Sequence, residues 1–281
     1  MPEALKKLSR FVALSIACTL VVSCASSSRT MEVKPLSVLG EGSDMFFYVP
    51  VKDNRELVET LMCSFIGLAE NDAHLLASRI DSLYLGIGKN VGESIKVYAE
   101  GSFPSIGQNI ALTEKNGWKK TSYAPQDSSE KIEYFYSDFG FSVAFPTTKK
   151  MMVSNDIIPL LDNYYSAYPA EPECEHWFNG VEHDSTAILF YVEEPADFMR
   201  KMVGSIAEKW CDKVYGEIKK DGKTSSYSAT LYLELSNPKT QKSLEGLIKA
   251  LTVMEVSSVG DNVLRIENLK LSGQDVMNVL R

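Results

Sequence analysis

The sequence predicts an α+β protein built from two duplicated β-α-β-β-α-β halves, whose antiparallel sheet is flanked by amphipathic helices. Three observations predict this class. The motif Phe47-Tyr48-Val49 recurs as Phe190-Tyr191-Val192. Residues 97–104 match residues 231–238 at their Tyr, Glu, Ser and Pro positions. Strands are grouped next to one another instead of alternating singly with helices, and this grouping favours an antiparallel α+β arrangement.

Both halves show the same order of elements. A short apolar strand (45–49 and 187–192) leads into an amphipathic helix (54–68 and 196–210). Two strands with alternating apolar and polar residues follow, at 82–87 and 93–101 in the first half and at 213–218 and 225–235 in the second. The Asn, Asp and Gly residues between them are typical of hairpins. The first half has an additional helical pattern at 72–80.

Proline residues mark the second helix of each half. Pro104 and Pro238 are expected to begin these helices, because a proline at the first helical position loses no hydrogen bond. The remaining predicted elements are strands at 131–136, 141–145 and 262–271, and closing helices at 156–165 and 274–280.

The first 24 residues have the pattern of a bacterial export signal. Lys6, Lys7 and Arg10 precede an apolar run at 11–22, which is too short to span a bilayer and has the length of a signal-peptide core. The sequence Val-Val-Ser-Cys24 resembles the lipobox of bacterial lipoproteins. This resemblance implies cleavage before Cys24 and acylation of its thiol, and two or more acyl chains hold a protein stably at a membrane.

These features divide the chain into four segments. We expect a signal peptide at 1–23, an acylated tether at 24–43, and the two α+β repeats at 44–170 and 185–281. The alternative is an ordinary secretory signal in which Cys24 is incidental. In enteric bacteria an Asp directly after the acylated Cys favours the inner membrane, whereas this chain has Ala25, which resembles the outer-membrane default.

The net charge and the cysteine count limit the partners that this chain can bind and the ways in which its fold can be stabilised. The formal net charge is −8, whereas nucleic-acid binding normally requires a basic surplus, so we exclude a nucleic-acid partner. Removal of the signal would leave Cys63, Cys174 and Cys211 beside the acylated cysteine. Three thiols are too few for a disulfide framework. The hydrophobic core must therefore hold the fold.

Two helical segments of the second half combine an apolar stripe with a basic polar side. This combination is typical of helices that lie in an anionic membrane interface. The predicted membrane-contact residues are Phe198, Met199, Met202, Val203, Ile206, Trp210, Leu244, Leu247, Ile248 and Leu251. In the alternative, each stripe packs on the sheet of its own domain, as amphipathic helices usually do. Both arrangements can occur at different times: the stripes are buried on the sheet in solution, and lipid shifts the population toward an open state in which they are exposed.

With this lipobox, length and helix pattern, the chain resembles a treponemal family of outer-membrane-associated lipoproteins. The resemblance implies an α+β body whose amphipathic helices sense and insert into the membrane. It also implies a position on the inner, periplasm-facing leaflet of the outer membrane, where the protein perturbs the bilayer or holds lipid. No family residue beyond Cys24 is carried over.

Catalytic motifs are absent from the sequence. It contains no Gly-x-Ser-x-Gly, no His-Glu-x-x-His and no P-loop, and the glycines from Gly86 to Gly92 lie between two predicted strands and not before a helix. Cys174, His176 and His183 are ligand types that zinc prefers, but their spacing matches no structural zinc site, and they lie in the predicted loop between the halves. We expect no enzyme, no cofactor and no metal site.

The sequence therefore predicts an anchored lipoprotein that associates with or inserts into the outer membrane through amphipathic helices, and that can bind or shelter a lipid or fatty acid. The alternative is a periplasmic binding or scaffold lipoprotein that recognises another envelope protein. A large apolar cavity would favour the first function, and a flat aromatic surface without a cavity would favour the second. An enzyme based on the Cys174 cluster ranks third.

Overall fold

An antiparallel sheet organises the part of the chain that the computed structural model describes, which is residues 33–88, 95–125, 131–138, 140–180, 185–202, 211–222, 226–251 and 254–279. Its twelve described strands are β1 (Met45–Pro50), β2 (Ile80–Ile87), β3 (Ile95–Gly101), β4 (Trp118–Tyr123), β5 (Ile132–Ser137), β6 (Ser142–Thr147), β7 (Lys150–Ser154), β8 (Ile188–Val192), β9 (Cys211–Lys220), β10 (Ser226–Leu235), β11 (Glu255–Val259) and β12 (Val263–Ser272). The predicted α+β class with an antiparallel sheet is confirmed.

The strand order is β11-β12-β10-β9-β8-β1-β2-β3-β7-β6-β5-β4. The first strands of the two predicted halves, β1 and β8, therefore pair with each other at the centre. Outward from this pair, β2 and β3 follow on one side and β9 and β10 on the other. Such an order is compatible with two duplicated halves, and the duplication itself stays a prediction.

Three strands were missed by sequence patterns. β4 and β11 are the edge strands of the sheet, and most of their residues are exposed or half-buried, so they lack a strong apolar period. β7 follows β6 after a two-residue turn and is only five residues long. Short strands of this kind give little periodic signal.

The described helices are α1 (Pro35–Leu39), α2 (Val51–Leu61), α3 (Glu70–Ala77), α4 (Ser105–Ala111), α5 (Ile158–Tyr165), α6 (Glu175–Gly180), α7 (Ala196–Met202), α8 (Gln241–Leu251) and α9 (Gly273–Val279). A π-helical segment, Met62–Ile66, continues α2 and ends at Gly67, whose φ is +72°. Pro104 caps α4, and Pro238 begins a 3₁₀ turn before α8. No helix in the described ranges is long and apolar enough to cross a membrane.

The two faces of the sheet carry different helices. One face, here called the core face, bears Phe47, Leu83, Val97 and Phe190, and it packs against side chains of α2, α7, α8 and α9. The opposite face bears Tyr98, whose neighbourhood is covered by α1 and α5. Alternation of side chains along each strand assigns successive residues to these two faces.

The predicted tether at 24–43 is too long. Leu36, Val38 and Leu39 of α1 are buried. The Ser37 hydroxyl donates a hydrogen bond to the buried carboxylate of Glu175 (Oγ–Oε2, 3.0 Å). A five-residue helix is not stable alone, so these tertiary contacts hold it, and the folded domain begins before residue 44.

Candidate lipid-contact site

An apolar cavity lies in the first half, between the core face and the wall made by α2, the π-helical segment and α3. On the scale used for cavities in proteins its volume is about 80 Å³, and it opens to solvent at its mouth. The described side chains that line it are all apolar: Val58, Leu61, Met62, Leu76, Leu83, Leu85, Ile87, Ile95, Val97, Phe141, Met151 and Val153. The site can therefore accept hydrocarbon and offers it no side-chain hydrogen bond.

Local sequence explains the helical wall. Val58 and Leu61 are three residues apart, so they lie on the same side of α2 and point to the cavity. Ala73 and Ala77 of α3 are fully buried, and their small side chains allow α3 to pack closely against the core. His74 and Glu59 connect α3 to α2 (Nδ1–Oε1, 2.8 Å).

The helix that follows β3 in the first half packs differently from the helix that follows β10 in the second half. In the second half this helix is α8, which buries Leu244 and Ile248 and packs on β11 and β12. Its first-half counterpart, α4, is described throughout and has no buried residue. The exposed fraction is 61% for Ile106 and 69% for Ile110. These residues are four apart and share one helix side.

Sequence reasoning missed this exposed isoleucine pair. The signal was present, because Ser105–Ala111 contains no charged residue and repeats isoleucine at a helical interval. Nearby in the chain, Trp118 is partly buried against the core, and the Lys120 ammonium lies 6.0 Å from the centroid of the Phe135 ring. Apolar and aromatic side chains with neighbouring cations are typical of membrane-interface surfaces.

The predicted membrane-contact residues are divided by the structure. Phe198, Met199, Leu244 and Ile248 are buried in the core, and Leu247 is half-buried. In this conformation the four buried side chains face protein and not solvent, since their helices pack on the sheet. Val203, Ile206 and Trp210 lie outside the described residues, as do the side chains of Met202 and Leu251.

The residues weighed as zinc ligands in the sequence are not brought together within the described ranges. Cys174 is buried and precedes helix α6, where a loop was expected, whereas His176 is exposed and His183 lies outside the described ranges. Within those ranges no group of three or more His, Cys, Asp or Glu side chains could hold a metal ion. Burial raises the pKa of the Cys174 thiol, and it raises the pKa of Cys211 to about 12. Both thiols are therefore held in the protonated form, which is a poor nucleophile and metal ligand.

The fold is shared with solved structures of one bacterial protein. Crystal form I of TP0453 superposes with a TM-score of 0.71 at 20% identity, covering 91% of this chain and 98% of the other. Crystal form III gives a TM-score of 0.67 at 20% identity, with coverages of 88% and 98%. At this identity the likeness defines an antiparallel α+β fold.

The sequence comparisons define the family. The family model described as outer membrane-associated lipoprotein TP0453 matches residues 30–277, and the chain belongs to this family. Outer membrane protein TP0453 of Treponema pallidum (strain Nichols) is 23% identical over 257 residues, which cover 88% of this chain and 85% of the relative. The protein is therefore an outer membrane-associated lipoprotein, and the resemblance inferred from its sequence is confirmed.

Proposed function

We propose that this lipoprotein contacts the bilayer through apolar surface of its first half and shelters the hydrocarbon part of a lipid in the cavity. The observation that carries the proposal is the wholly apolar lining described above, in a protein of the outer membrane. Each methylene that leaves water for such a site contributes about 0.8 kcal/mol. Lipid from the adjacent membrane is the natural source of such chains.

Helix α4 is the surface that makes the first membrane contact in this proposal. Ile106 and Ile110 are already exposed, so their insertion requires no rearrangement. Detaching α8 would expose Leu244 and Ile248, at a cost of about 1.5–3 kcal/mol per side chain. Contact through α4 therefore precedes any contact through α7 or α8.

Helices α7 and α8 would contact lipid in a second, open state. Their buried stripes reach the bilayer only after they leave the sheet, so lipid must favour the open state by a few kcal/mol. The membrane-contact role proposed for Phe198, Met199, Leu244 and Ile248 depends on this opening.

The anchor and the repeat complete the proposal. Acylation of Cys24 after removal of residues 1–23 would hold the domain at the membrane, facing the periplasm. The ten residues from Cys24 to Val33 can extend to roughly 35 Å at most, so the domain stays near the lipid surface. We also propose that the two halves arose by duplication and that the protein acts without catalysis.

Vesicle flotation tests the membrane contact. Unacylated chain beginning at Ala25 is mixed with vesicles, and the floated fraction is measured for the parent chain and for Ile106→Asp with Ile110→Asp. We expect the double variant to float at least fivefold less. Leu75→Asp is the matched control, because Leu75 is 60% exposed on α3 and should leave flotation unchanged.

The outcomes separate the possible failures. Equal flotation of the parent and the α4 variant would remove α4 as the contact surface. Absence of flotation in all three proteins would remove membrane contact by the unacylated domain altogether. Lipid extraction and mass spectrometry of the same purified chain test the cavity, and we expect a co-purified acyl compound that a Val97→Phe variant lacks.

The scaffold alternative is less well supported. It would be favoured by a flat aromatic surface without a cavity, whereas the described residues enclose one. A stable complex with an envelope protein that persists in the α4 double variant, together with empty lipid extracts, would favour the alternative.

A further inference from the structure

We infer that the first-half cavity recognises the hydrocarbon chain alone and makes no contact with the head group, so that it accepts single-chain amphiphiles of any head-group charge. The inference rests on the proposed lipid function and names its ligand class. Three features of the cavity carry it: the chemistry of its wall, the hydrogen bonding of its backbone, and its relation to the second half.

The side chains of the wall provide no partner for a polar group. Valine, leucine, isoleucine, methionine and phenylalanine make up the lining described above. A polar group placed among them without a hydrogen bond would lose about 1–3 kcal/mol, and an unpaired charge would lose far more. A carboxylate, phosphate or ammonium group therefore stays in water outside the mouth.

The backbone of the wall is also occupied. β2 pairs with β1 and β3, and β3 pairs with β2 and β7, so the N–H and C=O groups of these interior strands are used by the sheet. At the start of β3, the Ile95 amide donates to the Asn155 side chain (N–Oδ1, 3.2 Å). The described strands of the wall therefore offer no free backbone donors of the kind that commonly bind anionic head groups.

Comparison of the two halves shows why space is left for a chain. Val97 and Ala99 on β3 pair with Val153 and Met151 on β7. At the matching places in the second half, Leu231 and Leu233 on β10 pair with Ile266 and Leu264 on β12. The first-half strand β3 carries smaller side chains there, and of these Val97 lines the cavity. The smaller side chain at this place leaves more room beside the sheet than Leu231 does in the second half.

The wall can adapt to chains of different shape. Met62 and Met151 are unbranched and flexible, so they fill irregular space around a ligand. Discrimination then comes from the length of chain that can be buried and not from its polar end.

A displacement assay on the unacylated chain beginning at Ala25, which contains the whole described domain, tests this inference. The neutral fluorophore N-phenyl-1-naphthylamine is bound first and then displaced by dodecanoate, dodecanol and dodecyltrimethylammonium below their micelle concentrations. We expect half-displacement concentrations within about threefold of one another. Shortening each compound should weaken displacement by up to about fourfold per methylene, the factor that corresponds to 0.8 kcal/mol.

Two cavity variants and one surface variant complete the test. Val97→Phe should weaken displacement by all three compounds at least tenfold, and the milder Val97→Leu with Val153→Ile should weaken it less while folding normally by circular dichroism. Ile106→Asp should leave displacement unchanged, because its side chain lies on the surface of α4.

Each result has a separate meaning. One compound could have a half-displacement concentration more than tenfold below those of the other two, and keep this advantage in shorter chains. That result would overturn the inference and leave lipid binding intact. Absence of displacement by any compound would overturn both the inference and the sheltering of lipid in this cavity. Equal displacement by the three compounds with loss in Val97→Phe would support both.

Discussion

Phe47 and Phe190 lie directly opposite each other on the two central strands, with their ring centroids 6.4 Å apart. Both side chains are fully buried. On either side of this pair, Phe46 is opposite Tyr191 and Tyr48 is opposite Leu189. The recurring aromatic motif of the sequence therefore meets itself at the centre of the sheet, and the pair joins the two halves through one core.

Removing either ring should strongly destabilise the domain. Phe47→Ala and Phe190→Ala each remove a fully buried ring and leave a cavity, so each should lower the free energy of unfolding by about 3–5 kcal/mol. Chemical denaturation measures the loss. Tyr168→Ala is the control, since Tyr168 is 93% exposed and its replacement should change stability by less than about 0.5 kcal/mol. A single alanine variant that unfolds in two separate transitions would show that the halves do not share a core.

Gly216 makes room for the Phe190 ring. A Cβ atom at this position would lie 2.0 Å from the Thr230 carbonyl oxygen and 3.0 Å from Cζ of Phe190. Gly216→Ala should therefore destabilise the domain by about 1–3 kcal/mol through overpacking, which calorimetry can detect as a lower Tm.

Gly107 is the matched control for this substitution. A Cβ there meets no atom within 4 Å in the described residues, and the residue lies inside α4. Gly107→Ala should raise stability by about 0.5–1 kcal/mol, because glycine has a higher entropy in the unfolded chain. An increase in Tm for Gly216→Ala would contradict the close backbone approach in the structure.

The buried carboxylate of Glu175 holds α1 on the domain. It accepts a hydrogen bond from Ser37 and lies 3.0 Å from the Lys34 ammonium. Glu175→Ala should cost about 1–3 kcal/mol, because the buried Ser37 hydroxyl loses its partner. Proteinase K, a protease of broad specificity, should then cleave more rapidly within α1.

Glu171→Ala provides the comparison, because Glu171 also contacts Lys34 but is half-exposed. This variant should be cleaved and should unfold nearly as the parent does, since exposed ion pairs contribute little to stability. Equal cleavage of the Glu175→Ala variant and the parent would mean that the apolar contacts of α1 suffice to hold it.

Regular local patterns were the most predictable part of this fold. The alternating segments 82–87, 213–218 and 225–235 coincide with β2, β9 and β10 to within a few residues, because a half-buried strand repeats every second residue. The helix predicted at 54–68 ends as α-helix at Leu61 and continues as a π-helix. Boundaries of this kind depend on packing, which local periodicity does not contain.

The candidate site was less predictable than the fold. The apolar stripes of α7 and α8 are visible in the sequence, yet a stripe has the same period whether a sheet or a bilayer covers it. Packing on β11 and β12 covers Leu244 and Ile248, whereas nothing described buries Ile106 and Ile110 of the short helix α4. The cavity depends on side chains from separate strands and helices, so no single segment indicated it.

The amino-acid sequence by itself determined the features that are encoded in contiguous residues. These are the pattern that predicts an export signal and resembles a lipobox, the acidic balance, and the order of most strands and helices. Only the tertiary structure decided which apolar sides are covered, how the two central strands pair, and where space remains beside the sheet. The physical reason is that burial depends on residues far apart in the chain, whereas charge, hydropathy and period are properties of each segment alone.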